Sequence, residues 1–188
     1  METDALFAPA RQIKAEADAL LAASGLLDTL GTFGRVVFAG SYSLNLMVNR
    51  DIDVYVINPA HTRHSVIGAL NVLIGQAFFG GYMFYEWDAV GMAGLPTGYY
   101  VGLKTLPPEP RWKFDCWFVH ADLSTRTELI GRVAAATNDQ RALILGIKRA
   151  AHERDLVVLG FTIYEAVLRG GVTSVAAFFR AARFVTGV

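Results

Sequence analysis

Two aspartates one residue apart, Asp51 and Asp53, open the segment Asp51-Ile52-Asp53-Val54-Tyr55-Val56-Ile57. A run this rich in β-branched and aromatic residues reads as a strand, and alternate residues of a strand share a face. The two carboxylates therefore point the same way, with Ile52 and Val54 turned toward a core. Aspartate is depleted in strands, so a pair in this register carries a cost. At roughly 5 Å and an effective dielectric near 20, two such charges repel by about 3 kcal/mol. A divalent cation between them reverses the sign, and a set of oxygen ligands without histidine suits Mg2+ or Mn2+ better than zinc.

Just upstream, Ala39-Gly40-Ser41 closes an earlier apolar run, and nine residues separate Ser41 from Asp51. Gly40 permits a ligand to approach the backbone closely, while Ser41 offers an N–H and a hydroxyl to a phosphate oxygen. The plainer alternative is a turn with a serine in it. A third carboxylate, Asp115, sits in Trp112-Lys113-Phe114-Asp115-Cys116-Trp117-Phe118-Val119, where alternation groups it with Lys113 and Trp117. A charge in so apolar a strand needs a partner. It is either an ion pair with Lys113 or Lys104, or a metal ligand, or the base for an attacking hydroxyl.

Other chemically capable residues carry weaker patterns. Lys148 and Arg149 lie mid-helix in a basic stretch and can either meet phosphates or form a solvated face. Tyr164 and Glu165 can shape an acceptor pocket or simply pack. Glu86, Asp88 and Glu109 either line a cation-accepting pocket or are loop and edge charges. His61, His64, His120 and His152 lack metal-ligand spacing and read as surface or satisfied core groups. Cys116 faces away from Asp115 and packs, and Trp87, Trp112 and Trp117 read as core with the option of stacking a ring. There is no Gly-x-Gly-x-x-Gly or Walker loop, which excludes the usual dinucleotide and P-loop architectures.

The elements that must position these groups follow from periodicity and punctuation. Helical spacing covers residues 9–23, with Ile13, Ala17, Leu20 and Leu21 on one face and Gly25 as a stop. Strands are expected at 35–39, 52–57, 82–87, 99–103 and 112–119, with a helix at 62–76. Pro107, Pro108 and Pro110 mark the loop before the last strand. Beyond Val119 the pattern turns helical: from Ser124 to about 137, from 140 to 154 behind Thr137-Asn138-Asp139 caps, a third ending near Gly170-Gly171, and a fourth capped by Thr173 or Ser174. Strands early and helices late give an α+β fold, a short mixed sheet with helices followed by a helical C-terminal subdomain. The division expected is 1–121 for the sheet domain and 122–188 for the helical one.

The composition agrees. With 188 residues, 53% hydrophobic and 18% charged, the chain buries a real core. One cysteine excludes an internal disulfide. Seventeen basic and seventeen acidic side chains leave no overall basic signature of a nucleic-acid binder. That balance is unevenly spread: residues 1–125 carry eight basic and twelve acidic groups, residues 126–188 nine and five. The uncharged stretch from Ser65 to Tyr85 contains four glycines, with Gly80-Gly81 splitting it, so no membrane span is expected. The acidic N-terminus lacks a secretory pattern, making a cytoplasmic location the expectation.

Gly-Ser, a short spacer, Asp-x-Asp on a strand and a distant third Asp on another strand together resemble the DNA polymerase beta-like nucleotidyltransferase superfamily. In size the chain looks similar to small bacterial nucleotidyltransferases of the antibiotic-modifying type. The likeness covers roughly residues 10–120. It implies that Gly40 and Ser41 meet the triphosphate, that Asp51 and Asp53 hold two Mg2+ (or Mn2+) ions, and that Asp115 supports the catalytic metal. It further implies that Lys148 reaches the β- and γ-phosphates. The implied reaction is transfer of a nucleoside monophosphate from an NTP such as ATP to a hydroxyl of a small acceptor, aminoglycoside- or lincosamide-like, with pyrophosphate released. The partners expected are then NTP and that acceptor, with no nucleic acid and no membrane, in a monomer or homodimer. The other implied reading is an antitoxin-like module of the same fold that modifies or binds a protein.

Overall fold

The computed structural model describes residues 2–87, 96–108, 110–121 and 124–181. Five strands form one mixed sheet in the order β1-β2-β5-β4-β3: β1 Arg35–Ala39, β2 Asp51–Ile57, β3 Phe79–Glu86, β4 Tyr99–Thr105 and β5 Lys113–Val119. Only β2 and β5 run parallel, and the other three pairings are antiparallel. A parallel pair needs a crossover, which here passes through a helix and the β3–β4 hairpin. The helices are α1 Glu2–Ser24, α2 Leu26–Gly31, α3 Gly40–Ser43, α4 Arg63–Gly75, α5 Ser124–Ala134, α6 Asn138–His152, α7 Gly160–Leu168 and α8 Val175–Ala181.

Strand alternation sends one sheet face into the main core. Ile52, Val54 and Val56 of β2 and Phe114, Cys116 and Phe118 of β5 are fully buried against Ala17, Leu26, Leu30 and the α4 residues Val66, Ala69 and Leu73. Burying each large side chain contributes about 1.5–3 kcal/mol before entropy is counted. The opposite face carries Asp51, Asp53, Lys113 and Asp115. Burial explains why the carboxylates sit where they do: the pleat leaves the odd positions of both strands on one side.

A second core joins the C-terminal helices to earlier parts of the chain. Leu129, Val133, Ile144, Leu145, Ile147, Ile163 and Phe178 enclose Ala10, Leu44 and Leu46. Packing of Phe7 and Ala10 into this core explains why α1 begins at Glu2 rather than near residue 9. Pro9 interrupts its hydrogen-bond ladder, and the Arg149 guanidinium donates to the Leu6 carbonyl beside that interruption.

Of the expected caps, Thr137 and Ser174 are realised, and the structure adds one at Thr62. Thr62 and Ser65 form a capping box on α4, Thr137 and Gln140 form another on α6, and the Ser174 hydroxyl accepts from the Ala177 N–H at the start of α8. Helix α2 follows Gly25 directly, where sequence periodicity indicates only a stop. Among the described residues no helix is long and apolar enough to cross a membrane.

Candidate functional site

Register brings the three carboxylates together. Asp53 lies opposite Asp115, and Asp51 opposite Lys113, across the parallel β2/β5 pair. On the other side of β2, Ala39 lies opposite Asp53. The chain leaves β1 through Gly40 at φ +63°, a left-handed conformation that glycine adopts without strain. A Cβ at Gly40 would stand 2.1 Å from Asp53 Oδ2. Glycine is thus required twice, by backbone angle and by the carboxylate pressed against it.

These groups line a cleft of about 430 Å³. Its polar wall is Gly40, Ser41, Asn49, the three aspartates, Lys113 and Lys148. The opposing lip is apolar, formed by Leu156, Val157, Val158, Leu159 and Phe161, with Tyr164 behind it. Val157 is 93% exposed, an apolar side chain offered to solvent at the mouth. No sequence signal marks this lip, because a short apolar run between two helices reads as core.

Asp51 is the most perturbed acid. Burial, then the charges of Asp53 and Asp115, push its carboxyl up to about 7, against the pull of Lys113 and Lys148. Its Oδ1 is buried and accepts no hydrogen bond. An orphaned oxygen beside two further carboxylates is the environment a hard cation relieves. The donor set fits Mg2+ or Mn2+. Among the described residues no three acidic, histidine or cysteine side chains converge into a cage that would hold an ion unaided. An Mg2+ ion brought in on a nucleotide needs only one or two carboxylates, the rest of its shell being water and phosphate oxygens.

Asp115 is held differently. Its Oδ1 accepts a short hydrogen bond from the Tyr100 hydroxyl, and its Oδ2 an ion-paired bond of 2.7 Å from Lys113 Nζ. Of the two lysines considered from sequence, Lys113 is the partner. Burial lowers the Lys113 ammonium, but Asp51, Asp115 and Asp53 together raise it above its ordinary value. Tyr100 is a participant that the sequence does not single out. Burial and its bond to Asp115 hold the phenol protonated well above its usual range.

Lys148 faces the cleft rather than bulk solvent. Its Nζ donates to the Leu46 carbonyl at 2.8 Å, and desolvation draws the ammonium down to about 8 despite Asp53 and Asp51. Arg141 donates likewise to the Leu44 carbonyl at 2.6 Å. Arg141 and Lys148 of α6 thus clasp the loop leading into Asp51, so α6 positions the acidic strand as well as lining the site.

The remaining sequence candidates separate. Glu86 pairs with Arg63 at 3.3 Å and is not among the cleft residues, so of its two readings the edge charge holds. Asp88 and Glu109 lie outside the described residues. Glu165 pairs with Arg169 at 3.2 Å, leaving only Tyr164 of that dipeptide at the cleft. Cys116 is fully buried on the opposite face, its thiol pushed up by burial. His61 is buried with its Nε2 3.0 Å from the Val56 carbonyl. Trp112 is core, while Trp117 lines the cleft and stacks on Trp87.

No protein-family model matches the chain, and no curated protein matches it in sequence. Solved structures do. The chain is similar to one in the structure of the GLD-2/RNP-8 complex, with a TM-score of 0.62 and 12% identity over 99% of this chain and 73% of that one. It is similar to the Cid1 poly(U) polymerase, in a structure described with Mg and 3′-dATP bound, with a TM-score of 0.56 and 15% identity over 88% and 52%. It is also similar to the polymerase core of TRAMP, an RNA surveillance complex, with a TM-score of 0.57 and 18% identity over 82% and 48%. The chain spans about half the length of the last two. At these identities the likeness establishes the fold alone, an α+β fold with a mixed sheet and helices that this chain shares with those structures. The Cid1 and TRAMP chains are polymerases, not the small antibiotic-modifying enzymes that the sequence pattern resembles.

Proposed function

We propose that the chain is a divalent-ion-dependent nucleotidyltransferase that moves a nucleoside monophosphate from an NTP to a hydroxyl. The observation that carries this is the β2/β5 register, which sets Asp51, Asp53 and Asp115 on one cleft wall beside the Gly40-Ser41 turn. Asp51 and Asp53 would hold a nucleotide-bound Mg2+ or Mn2+. Such an ion screens the phosphate charge and stabilises the developing charge on reacting oxygens. Gly40 and Ser41 meet the triphosphate, and Lys148 supplies a fixed positive charge from α6. The hydroxyl proton of the acceptor passes to Asp115 as its oxygen bonds to the α-phosphorus. The bond to the bridging oxygen breaks, and pyrophosphate leaves with the electron pair.

A small hydroxyl-bearing acceptor is the class we favour. The lip at 156–161 is apolar, whereas a strand of RNA calls for a cationic track along its phosphates. The likeness to a poly(U) polymerase supports an RNA 3′ end as the second reading. Both are separated by one assay: pyrophosphate release from each of four NTPs with short RNA oligomers, aminoglycosides or lincosamides as acceptors. Asp115→Asn tests the chemistry within it. The variant keeps the shape and is expected to retain Mg·NTP binding by calorimetry while losing at least about 100-fold in turnover. Unchanged turnover would remove Asp115 from the reaction.

Ser41→Ala is expected to be milder. The hydroxyl is lost but the backbone N–H stays, so KM for the NTP should rise by the equivalent of about 1–2 kcal/mol with the melting temperature little changed. An unaltered KM would leave Ser41 as a turn residue.

A further inference from the structure

Asp115 does not present an open carboxylate. Both of its oxygens are engaged, Oδ1 by the Tyr100 hydroxyl and Oδ2 by Lys113 Nζ at 2.7 Å, and its side chain is only 12% exposed. The arrangement is built into the sheet. Gly102 lies opposite Asp115 on β4, and a Cβ there would stand 2.6 Å from the Tyr100 hydroxyl oxygen. The missing side chain at 102 is the space through which Tyr100 reaches the carboxylate. Lys113 starts β5 directly opposite Asp51 and two residues before Asp115, so its ammonium is shared by the acidic cluster. Asp51 differs: its Oδ1 is buried without a partner. One end of the cluster thus has a vacant oxygen ligand, and the other already has a cation.

Resting on the nucleotidyl-transfer reading above, we propose that Lys113 is the resident second cation of the site, so that one divalent ion per nucleotide suffices, held on Asp51 and Asp53. Each oxygen of Asp115 keeps a lone pair for the acceptor hydroxyl. A second divalent ion there would stand beside the Lys113 ammonium, which lies 2.7 Å from Oδ2, and the repulsion between the two cations disfavours it. In this arrangement Lys113 is a positioning residue. It aims Oδ2 of Asp115 and offsets negative charge on the acceptor side, while the acceptor proton is taken by Asp115 and Lys113 stays protonated throughout.

The test is Mn2+ stoichiometry and electron paramagnetic resonance on the full chain saturated with α,β-methylene-ATP, repeated with the UTP analogue. One Mn2+ per bound nucleotide, with the spectrum of an isolated ion, is expected. Lys113→Arg should keep one ion. Lys113→Met, which keeps the apolar stem and removes the charge, should take up two per nucleotide with the coupled spectrum of ions about 3.5–4 Å apart. Two coupled ions in the wild type would overturn the proposal, as would a Lys113→Met protein that still binds only one. The wild-type count decides even if Lys113→Met fails to fold. Absence of any nucleotide-dependent Mn2+ binding would instead sink the nucleotidyl-transfer reading, and the proposal with it.

Discussion

Gly40→Ala is expected to leave a folded protein that has lost its activity. The new Cβ would lie 2.1 Å from Asp53 Oδ2, and the backbone sits at φ +63°. Left-handed strain costs an alanine about 1–2 kcal/mol. The clash itself is relieved cheaply, because the atom struck is the end of a side chain that can rotate. Relief by rotation turns the Asp53 carboxylate out of its place, and displacements of about 1 Å at a reacting centre cost about 100-fold. Circular dichroism should therefore show a native fold, while nucleotide turnover falls at least about 100-fold. Gly25→Ala is the control: its φ is +61°, but nothing lies within 4 Å of the added carbon. It should lose similar stability and no activity. Equal activity in the two variants would mean that the contact between Gly40 and Asp53 is incidental.

Asp51→Asn should stabilise the metal-free protein while abolishing ion-dependent nucleotide binding. Burial and two neighbouring carboxylates raise the Asp51 carboxyl from its ordinary 3.8 to about 7. Between those values the folded chain keeps a proton that the unfolded chain has released. Stability in the absence of a divalent ion consequently falls as pH rises from about 4 to about 7, by up to about 1.4 kcal/mol per unit. Asparagine carries no charge, so this slope should flatten. At pH 7.5 the variant should melt several degrees above the wild type, at about 2–4 °C per kcal/mol for a chain of this size. Most substitutions of a buried polar group destabilise. A lower melting temperature for Asp51→Asn would mark the carboxylate as a structural group.

What the sequence makes legible here depends on the range of the interaction. The Asp51–Ile57 and Trp112–Val119 segments declare themselves as strands through alternation, and with them the shared face of Asp51 and Asp53. The caps Thr137 and Ser174 are local chemistry and can be read directly. The partners of Asp115 cannot. Tyr100 reaches it only because β4 pairs with β5 in a register that puts Gly102 alongside, a relation fifteen residues removed in the chain. Lys148 is ambiguous for a similar reason: nothing in α6 tells that its cationic residues cap carbonyls about a hundred residues upstream. The apolar run Leu156–Leu159 follows no helical or strand period, since it forms the lip of a cleft rather than one face of an element.

Nucleotidyl transfer in this cleft requires that a nucleoside triphosphate bind through an ion held by Asp51 and Asp53. Thermal unfolding with each NTP, with and without Mn2+, measures this for the wild type and for Asp53→Asn. A ligand at 100 times its Kd adds about 2.7 kcal/mol to stability, well within detection. At least one NTP should raise the wild-type melting temperature only when Mn2+ is present, and Asp53→Asn should show no such increment. Stabilisation that is indifferent to the ion, or that persists in Asp53→Asn, would contradict it.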